Sequence, residues 1–366
     1  MSNIELYLYF YGGNPLLSLS TDMGIDLGTA NTLVYMKDRG IVLREPSVVA
    51  INKNNGQIVA VGNKARRMIG RTPGNIVAIR PLREGVIADY TATEKMLHCF
   101  ISKPKGLGFL FRPRVMICMP AQVTNVEERS IRQAAIQAGA GRTYIIKEPV
   151  AAALGAGLNI SAPSGTMVVD IGGGTTDIAV LSLNGIVCSK SLRVGGDKFD
   201  EAIARYIRKR LNLYIGERTS EKIKMEIGIA DQELIANRQL EVQGRSLING
   251  LPRALTISDC HTHEAIQEPL ETIIGAVKEV LENTPPELAA DVVERGITLT
   301  GGGCLLKGID SLLSRHTGIK VFIAEDPLSC VALGAGKALK MLDVLSANGK
   351  KKRPVPFIQK LVHKPV

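Results

Sequence analysis

The sequence predicts an α/β protein made of two duplicated lobes around a shared cleft. Three observations carry that expectation. Met23–Met36 reads MGIDLGTANTLVYM and Met167–Val180 reads MVVDIGGGTTDIAV. Each is an apolar strand ending in Asp, then a Gly/Thr turn, then a second apolar strand, which is a β-hairpin signal. Each is followed by further strands and then by helical stripes, with Asp26 and Asp170 144 residues apart. Finally, 366 residues leave room for two lobes at about 100–200 residues per domain.

Composition narrows the class. Hydrophobic residues are 45% and charged residues 22%, so wholesale disorder is excluded. Trp is absent and aromatic residues are 4%, so the core has to be built from Val, Ile, Leu and Ala. No run approaches the roughly 18 apolar residues that a membrane span needs. Cys99, Cys118, Cys188, Cys260, Cys304 and Cys330 are scattered with no CxxC pair. That argues against a metal knuckle or a disulfide scaffold and suits a reducing cytosol.

Along the chain, residues 1–21 form a leader with no basic residue before Lys37, so a secretory signal is not expected. Tyr7, Tyr9, Phe10 and Tyr11 cluster there before the Gly12–Pro15 break. Such a stretch suits either a loose leader or a membrane- or partner-touching segment. The first lobe is expected over 22–162, with a small subdomain at about 50–83. Arg114–Met119 reads as a strand, and 123–138 as a helix whose core stripe is Val126, Ser130, Ala134 and Ala138.

The Ser/Pro/Gly cluster at Asn159–Gly165 marks the lobe boundary. The second lobe follows over 163–345, with a small subdomain at about 198–260. Phe199, Ile203, Ile207 and Leu211 make the inner stripe of a helix at 197–211, with Arg205, Arg208 and Lys209 outside. Ile266, Leu270, Ile273, Ile274, Val277 and Leu281 do the same at 266–281. A last helix at about 328–345 returns toward the first lobe. The tail, 346–366, carries Lys350, Lys351, Lys352, Arg353, Lys360 and Lys364 and no acid, a charge of +6 against +10 for the whole chain. The body is therefore near neutral and offers no nucleic-acid face. The tail is either a solvated segment or one that meets anionic lipid.

The chemistry lies in the turns. Gly28, Thr29, Ala30 and Asn31 are small residues with free backbone amides, and a glycine lets the backbone approach a ligand closely. Gly172, Gly173, Gly174 and the Thr175–Thr176 pair are built more strongly for the same task. Two such cradles facing each other would hold a triphosphate between the lobes. Asp26 and Asp170 would repel phosphate, and they make sense as acceptors for the waters around Mg²⁺. A third cluster, Gly301, Gly302 and Gly303, follows the strand Ile297–Thr300, and a helix is expected to open at Cys304. Neither the Walker A pattern nor the dinucleotide fingerprint occurs.

In this order the elements resemble the actin-like ATPase superfamily, and most closely its MreB family of bacterial cell-shape actins. The segments that carry the likeness include Asp26–Asn31, Arg44–Ala50, Ile69–Gly74, Ile79–Asp89, Met167–Thr176, Glu217–Gly228, Asn283–Arg295 and Ala324–Pro327. They span about residues 22–345.

The resemblance implies two RNase H-like lobes around an interlobe cleft that binds ATP with Mg²⁺. Glu221, Lys222, Ile223 and Lys224 would flank the adenosine, with Gly301–Cys304 beneath it. Glu148 would position the attacking water, beside Thr175, in slow ATP hydrolysis coupled to polymerisation. A carboxylate at a helix start before Pro149 is also favoured by the dipole, and both roles can hold.

Two residues depart from the family pattern: Lys147 where an acid is usual and Asp177 where Glu is usual. They bear on hydrolysis rate more than on binding. A cation beside Glu148 is expected to favour its ionised form.

The loop Lys105–Arg112 holds Leu107, Phe109, Leu110 and Phe111, which either fold onto the core or meet a membrane. Its likeness to a membrane-insertion element assigns that role to Leu110 and Phe111. The implied protein forms double protofilaments at the cytoplasmic face of the inner membrane, alongside membrane proteins of the elongation machinery, and maintains rod shape. The competing readings are a metabolic kinase of the same superfamily, which needs a substrate base in the cleft, and a chaperone ATPase, which needs a further substrate-binding module.

Overall fold

The computed structural model describes residues 22–104 and 112–349, with side chains to Met341. The first lobe opens with β1 (Asp22–Leu27), β2 (Asn31–Met36) and β3 (Gly40–Pro46) as a meander. A small sheet follows: β4 (Val49–Asn52), β5 (Ile58–Val61), the short α1 (Asn63–Arg66) and β6 (Ile76–Ile79). A two-residue hairpin, β7 (Leu82–Arg83) and β8 (Val86–Ile87), leads into α2 (Tyr90–Ser102), which the Asp89 side chain caps by accepting from Ala92 N at 2.9 Å. Then come β9 (Arg114–Met119), α3 (Asn125–Gln137), β10 (Arg142–Lys147) and α4 (Glu148–Gly155).

The second lobe repeats the plan. It runs β11 (Thr166–Ile171), β12 (Thr176–Ser182), β13 (Gly185–Leu192), α5 (Gly196–Leu211), β14 (Leu213–Tyr214) and α6 (Glu217–Ile227). After these come β15 (Gln239–Ser246), β16 (Pro252–Ser258), α7 (Asp259–Glu282) and α8 (Pro286–Arg295). The chain ends with β17 (Ile297–Thr300), α9 (Ile309–Thr317), β18 (Val321–Ile323) and α10 (Cys330–Gly349).

The two large sheets have the same order, β10-β9-β1-β2-β3 and β18-β17-β11-β12-β13. In each, the first three strands are parallel and the last two turn back as antiparallel hairpins. The registers agree too: Asp26 lies opposite Leu33, and Asp170 opposite Asp177. Sequence separation is seven in both pairs, so both Asp residues sit at the same rung above their turns.

One apolar core packs α2 and α3 on the first sheet, and a larger one packs α5, α6, α7 and α9 on the second. A third core lies between the sheets, where α4 and α10 cross. Their approach depends on small residues. A Cβ on Gly155 would collide with the Cys330 carbonyl, and one on Gly334 with that of Ala151. This two-helix layer fixes how one lobe meets the other.

Two sequence expectations are corrected here. The inner stripe of α3 is Ile131, Ala134, Ala135 and Ala138, not Val126 and Ser130. Val126 is 71% exposed, and Ser130 Oγ bonds back to its carbonyl. The Thr124/Glu127 capping box sets the helix start, and a stripe spaced by four drifts about 40° per step from the buried face. After the third glycine cluster the chain makes a 3₁₀ turn at Gly302–Leu305, and α9 begins only at Ile309. Cys304 is buried while Leu305 points outward, so no α-helix N-terminus faces that cluster. The other two stripes pack inward as expected, with Leu211 and Leu281 at the core margin.

Candidate functional site: the glycine turns between the lobes

The β1–β2 and β11–β12 turns meet across the lobes. A Cβ built on Gly173 would lie 2.5 Å from Ala30 Cβ, and one on Gly174 would strike the Thr29 side chain. The second turn is closed by Gly172 N donating to Thr175 O at 2.8 Å. Its carbonyls are taken by the start of α5: Gly196 N donates to Gly172 O (2.9 Å) and Asp197 N to Gly173 O (2.8 Å). A trans peptide points its N–H opposite to its C=O. The amides of Gly173 and Gly174 are therefore aimed away from α5. In the first turn, Thr29 Oγ1 accepts from Gly85 N at 3.1 Å. Asn31 is exposed at the turn's end.

Beneath the turns lie four carboxyl groups. Burial, then the charge of Asp170, pushes Asp26 up to about 8. Burial raises Asp170 to about 7 against the opposing hydrogen bond from Thr300 Oγ1 at 2.6 Å. Asp177 rises to about 6 through burial, although Oδ1 accepts from Ala121 N at 2.7 Å. Its Oδ2 is buried without a hydrogen-bond partner. Glu148, the first residue of α4, is raised well above its usual value by burial and then by the charges of Asp177, Asp170 and Asp26. Four carboxyl groups forced toward neutrality mark a site that lacks cationic charge. No group of three or more His, Cys, Asp or Glu side chains able to hold a metal directly occurs among the described residues. Asp26 and Asp170 therefore fit a hydrated cation held through water better than one stripped of its shell.

The attraction expected between Lys147 and Glu148 is present, but it is not the dominant influence on Glu148. The Lys147 ammonium is itself depressed by burial and feels Glu128, Asp177 and Glu148. It helps hold Asp177 down, while burial and then the three neighbouring carboxylates push Glu148 well above its usual value. The two departures from the family pattern thus land beside one another.

The remaining candidates surround this centre. Thr175 is buried, with its methyl against Gly85. The Gly301 turn, at φ +80°, wraps the end of β11. A Cβ on Gly301 would come within 3.0 Å of Asp170 Oδ1, and Gly303 abuts Ile171. Gly302 packs near Leu328. The Cys304 thiol lies 2.9 Å from Gly301 O and is pushed to about 12 by burial.

On α6 the four residues diverge, because successive positions are about 100° apart. Lys224 Nζ reaches Gly196 O (2.8 Å) and Asp200 (2.9 Å) beside the second turn. Glu221 pairs with Arg66 of α1 at 2.6 Å. Lys222 faces outward toward Glu226, and Ile223 is fully buried in the core, so neither side chain joins the cluster. Leu110 and Phe111, the leader and residues 350–366 lie outside the described residues.

Sequence reasoning missed the groups that reach across the cleft. Arg66 holds Glu221, Arg80 holds Glu217 (Nε at 2.8 Å), and Glu84 faces Lys198 and Arg193. Pairs separated by more than 100 residues leave no periodic trace. The signal that could have been read is Glu84-Gly85 between the short segments Leu82-Arg83 and Val86-Ile87, a tight-turn pattern.

Comparison with known proteins agrees with the fold. The sequence pattern of the family described as MreB/Mbl protein matches residues 20–347. The chain is 54% identical over 332 residues to the cell shape-determining protein MreB of Escherichia coli K12, covering 89% of this chain and 95% of that one. It is 51% identical over 324 residues to the cell shape-determining protein Mbl of Bacillus subtilis 168, covering 88% and 97%. The crystal structure of Spiroplasma citri MreB5 bound to AMPPNP superposes with a TM-score of 0.86 at 37% identity, over 91% of this chain and 99% of that one. The MamK double helical filament shares the fold, with a TM-score of 0.73 at 22% identity over 88% and 99%.

Proposed function

The chain belongs to the MreB/Mbl family of cell shape-determining, actin-like proteins, and on that premise we propose that it binds and hydrolyses ATP and polymerises into membrane-associated filaments. The observation that carries the reading is the contact of the Gly172–Thr175 and Gly28–Asn31 turns over half-buried Asp26 and buried Asp170, whose carboxyl groups desolvation pushes up. MreB5 of Spiroplasma citri, bound to AMPPNP in one crystal structure and to ADP in another, supports it.

In this reading the backbone amides of the two turns receive the phosphates. Asp26 and Asp170 hold the hydration shell of Mg²⁺, which when bound neutralises phosphate charge. A divalent cation held there would favour the ionised forms of the neighbouring carboxyl groups. Glu148, once ionised, accepts a proton from the attacking water, with Thr175 beside it and Asp177 against it. Lys224 and Glu221 present the α6 side of the cleft to the adenosine.

Filaments pair as double protofilaments that organise cell-wall synthesis. The Leu110–Phe111 loop touches the inner leaflet at the cytoplasmic face, where the elongation machinery is embedded; among the described residues no helix is long and apolar enough to cross a membrane. Calorimetry with AMPPNP and Mg²⁺, followed by ATP-dependent pelleting and negative-stain microscopy, tests the reading. Filaments that need nucleotide support it. A soluble monomer whose ATP turnover depends on added sugar would refute it in favour of a kinase. For the loop, Leu110→Ser/Phe111→Ser should abolish co-sedimentation with anionic liposomes.

A further inference from the structure

The β7–β8 turn touches both phosphate-facing turns and the opposite lobe at once. Gly85 donates to Thr29 Oγ1 at 3.1 Å. It also lies so close to Thr175 that a Cβ would fall 2.8 Å from the threonine methyl. One residue earlier, Glu84 reaches the second lobe, with Oε1 3.4 Å from Lys198 Nζ and Oε2 3.8 Å from Arg193. Lys198 also pairs with Glu201 at 3.1 Å. Lys198 sits in the first turn of α5, the same turn whose amides hold the carbonyls of Gly172 and Gly173. A single carboxylate thus links the anchor of one cradle to the turn that braces both threonines.

The backbone of Glu84 strengthens the case. Its φ is +50°, followed by +77° at Gly85. Such a tight turn locally favours Asn, Asp or Gly at its first position, and a glutamate held there costs conformational energy. Strain that persists where the surroundings over-determine it points to a use for the side chain. Local preference did not choose this residue, and its ion pairs across the cleft are what a shorter or neutral residue would not supply.

We propose that Glu84 is a positioning residue for ATP hydrolysis, whose cross-cleft ion pairs with Lys198 and Arg193 fix the Gly85 turn against Thr29 and Thr175 when the lobes close. The inference rests on the proposed ATPase reading. Closure then does two things together: it brings the cradles into contact and seats Thr175 beside Glu148. Opening releases Glu84, frees Gly85 and loosens both threonines.

The test compares the full chain with Glu84→Asn, which suits the left-handed turn but loses the reach and the charge, and with Lys198→Met/Arg193→Met. Phosphate release gives kcat and calorimetry with AMPPNP gives affinity. Each variant should lower kcat about fivefold, as two partly exposed ion pairs allow, while affinity stays within about twofold. Combining them should add nothing further, because both remove the same contact. The wild-type rate should fall between about 0.05 and about 0.5 M salt, and that of Glu84→Asn should not.

Wild-type turnover in Glu84→Asn would overturn the inference. So would additive losses, or an affinity that drops in step with kcat. A wild-type chain that binds no AMPPNP would overturn the ATPase reading and this inference with it, whereas one that binds and hydrolyses while the variants match it would overturn the inference alone.

Discussion

Replacing Gly173 by Ala places a methyl group at the point where the two lobes touch. The built Cβ lies 2.5 Å from Ala30 Cβ and 3.2 Å from Ala30 N. Carbon atoms rest at about 3.5–4.0 Å, so the turns must separate by about 1 Å. Ala30 belongs to the first sheet and Gly173 to the second, and the cheapest way to gain that space is to swing the lobes apart. Overpacking of this kind costs about 1–3 kcal/mol. Charged wholly to the closed, nucleotide-holding state, that is a loss of about fivefold to a hundredfold in affinity. Calorimetry with AMPPNP and Mg²⁺ reads it directly. Gly275→Ala is the matched control: it lies in α7 with nothing within 4 Å of its built Cβ. It should stabilise the chain by about 0.5–1 kcal/mol through helix propensity and leave affinity alone. Equal affinity in Gly173→Ala and wild type would refute the idea that contact between the turns forms the binding site.

Two further outcomes follow from the carboxyl cluster. Glu148→Gln should lower ATP turnover by about a hundredfold or more, the usual contribution of a general base, with AMPPNP binding retained; unchanged turnover would remove Glu148 from the mechanism. The second concerns pH. Asp26 holds its proton up to about 8 in the fold against 3.8 in its reference state. The native chain therefore binds more protons than the unfolded one within that interval, and stability from this group is present below about 4 and lost as pH climbs to about 8. The melting temperature of nucleotide-free Asp26→Asn should accordingly gain on wild type from pH 5 to pH 8. A variant-minus-wild-type difference that stays flat or falls over that range would contradict the desolvation of Asp26.

The α3 stripe shows where sequence reasoning reached and where it stopped. The helix and the strand before it were legible because each depends on neighbours within about four positions. Its phase was not, because Val126, Ser130, Ala134 and Ala138 are as regular a stripe as the one that packs inward. Only the sheet beneath chose Ile131 and Ala135. The Cys304 segment failed for a related reason: strand, glycine turn and apolar residues look alike before a 3₁₀ turn and before an α-helix.

By itself, the sequence determined the two hairpins, the glycine turns at their tips, the Asp residue ending each leading strand and most of the helical faces. These are short-range consequences of side-chain period and glycine chemistry. The tertiary structure decided that the turns touch, that Glu148 is pushed well above its usual value despite its lysine neighbour, that Ile223 turns inward, and that Arg66, Arg80 and Glu84 reach the other lobe. Each of these depends on how the α4–α10 layer seats one sheet against its duplicate. That seating is set by close packing among residues far apart in sequence, and desolvation, the largest influence on Asp26, Asp170, Asp177 and Glu148, exists only once the packing is complete.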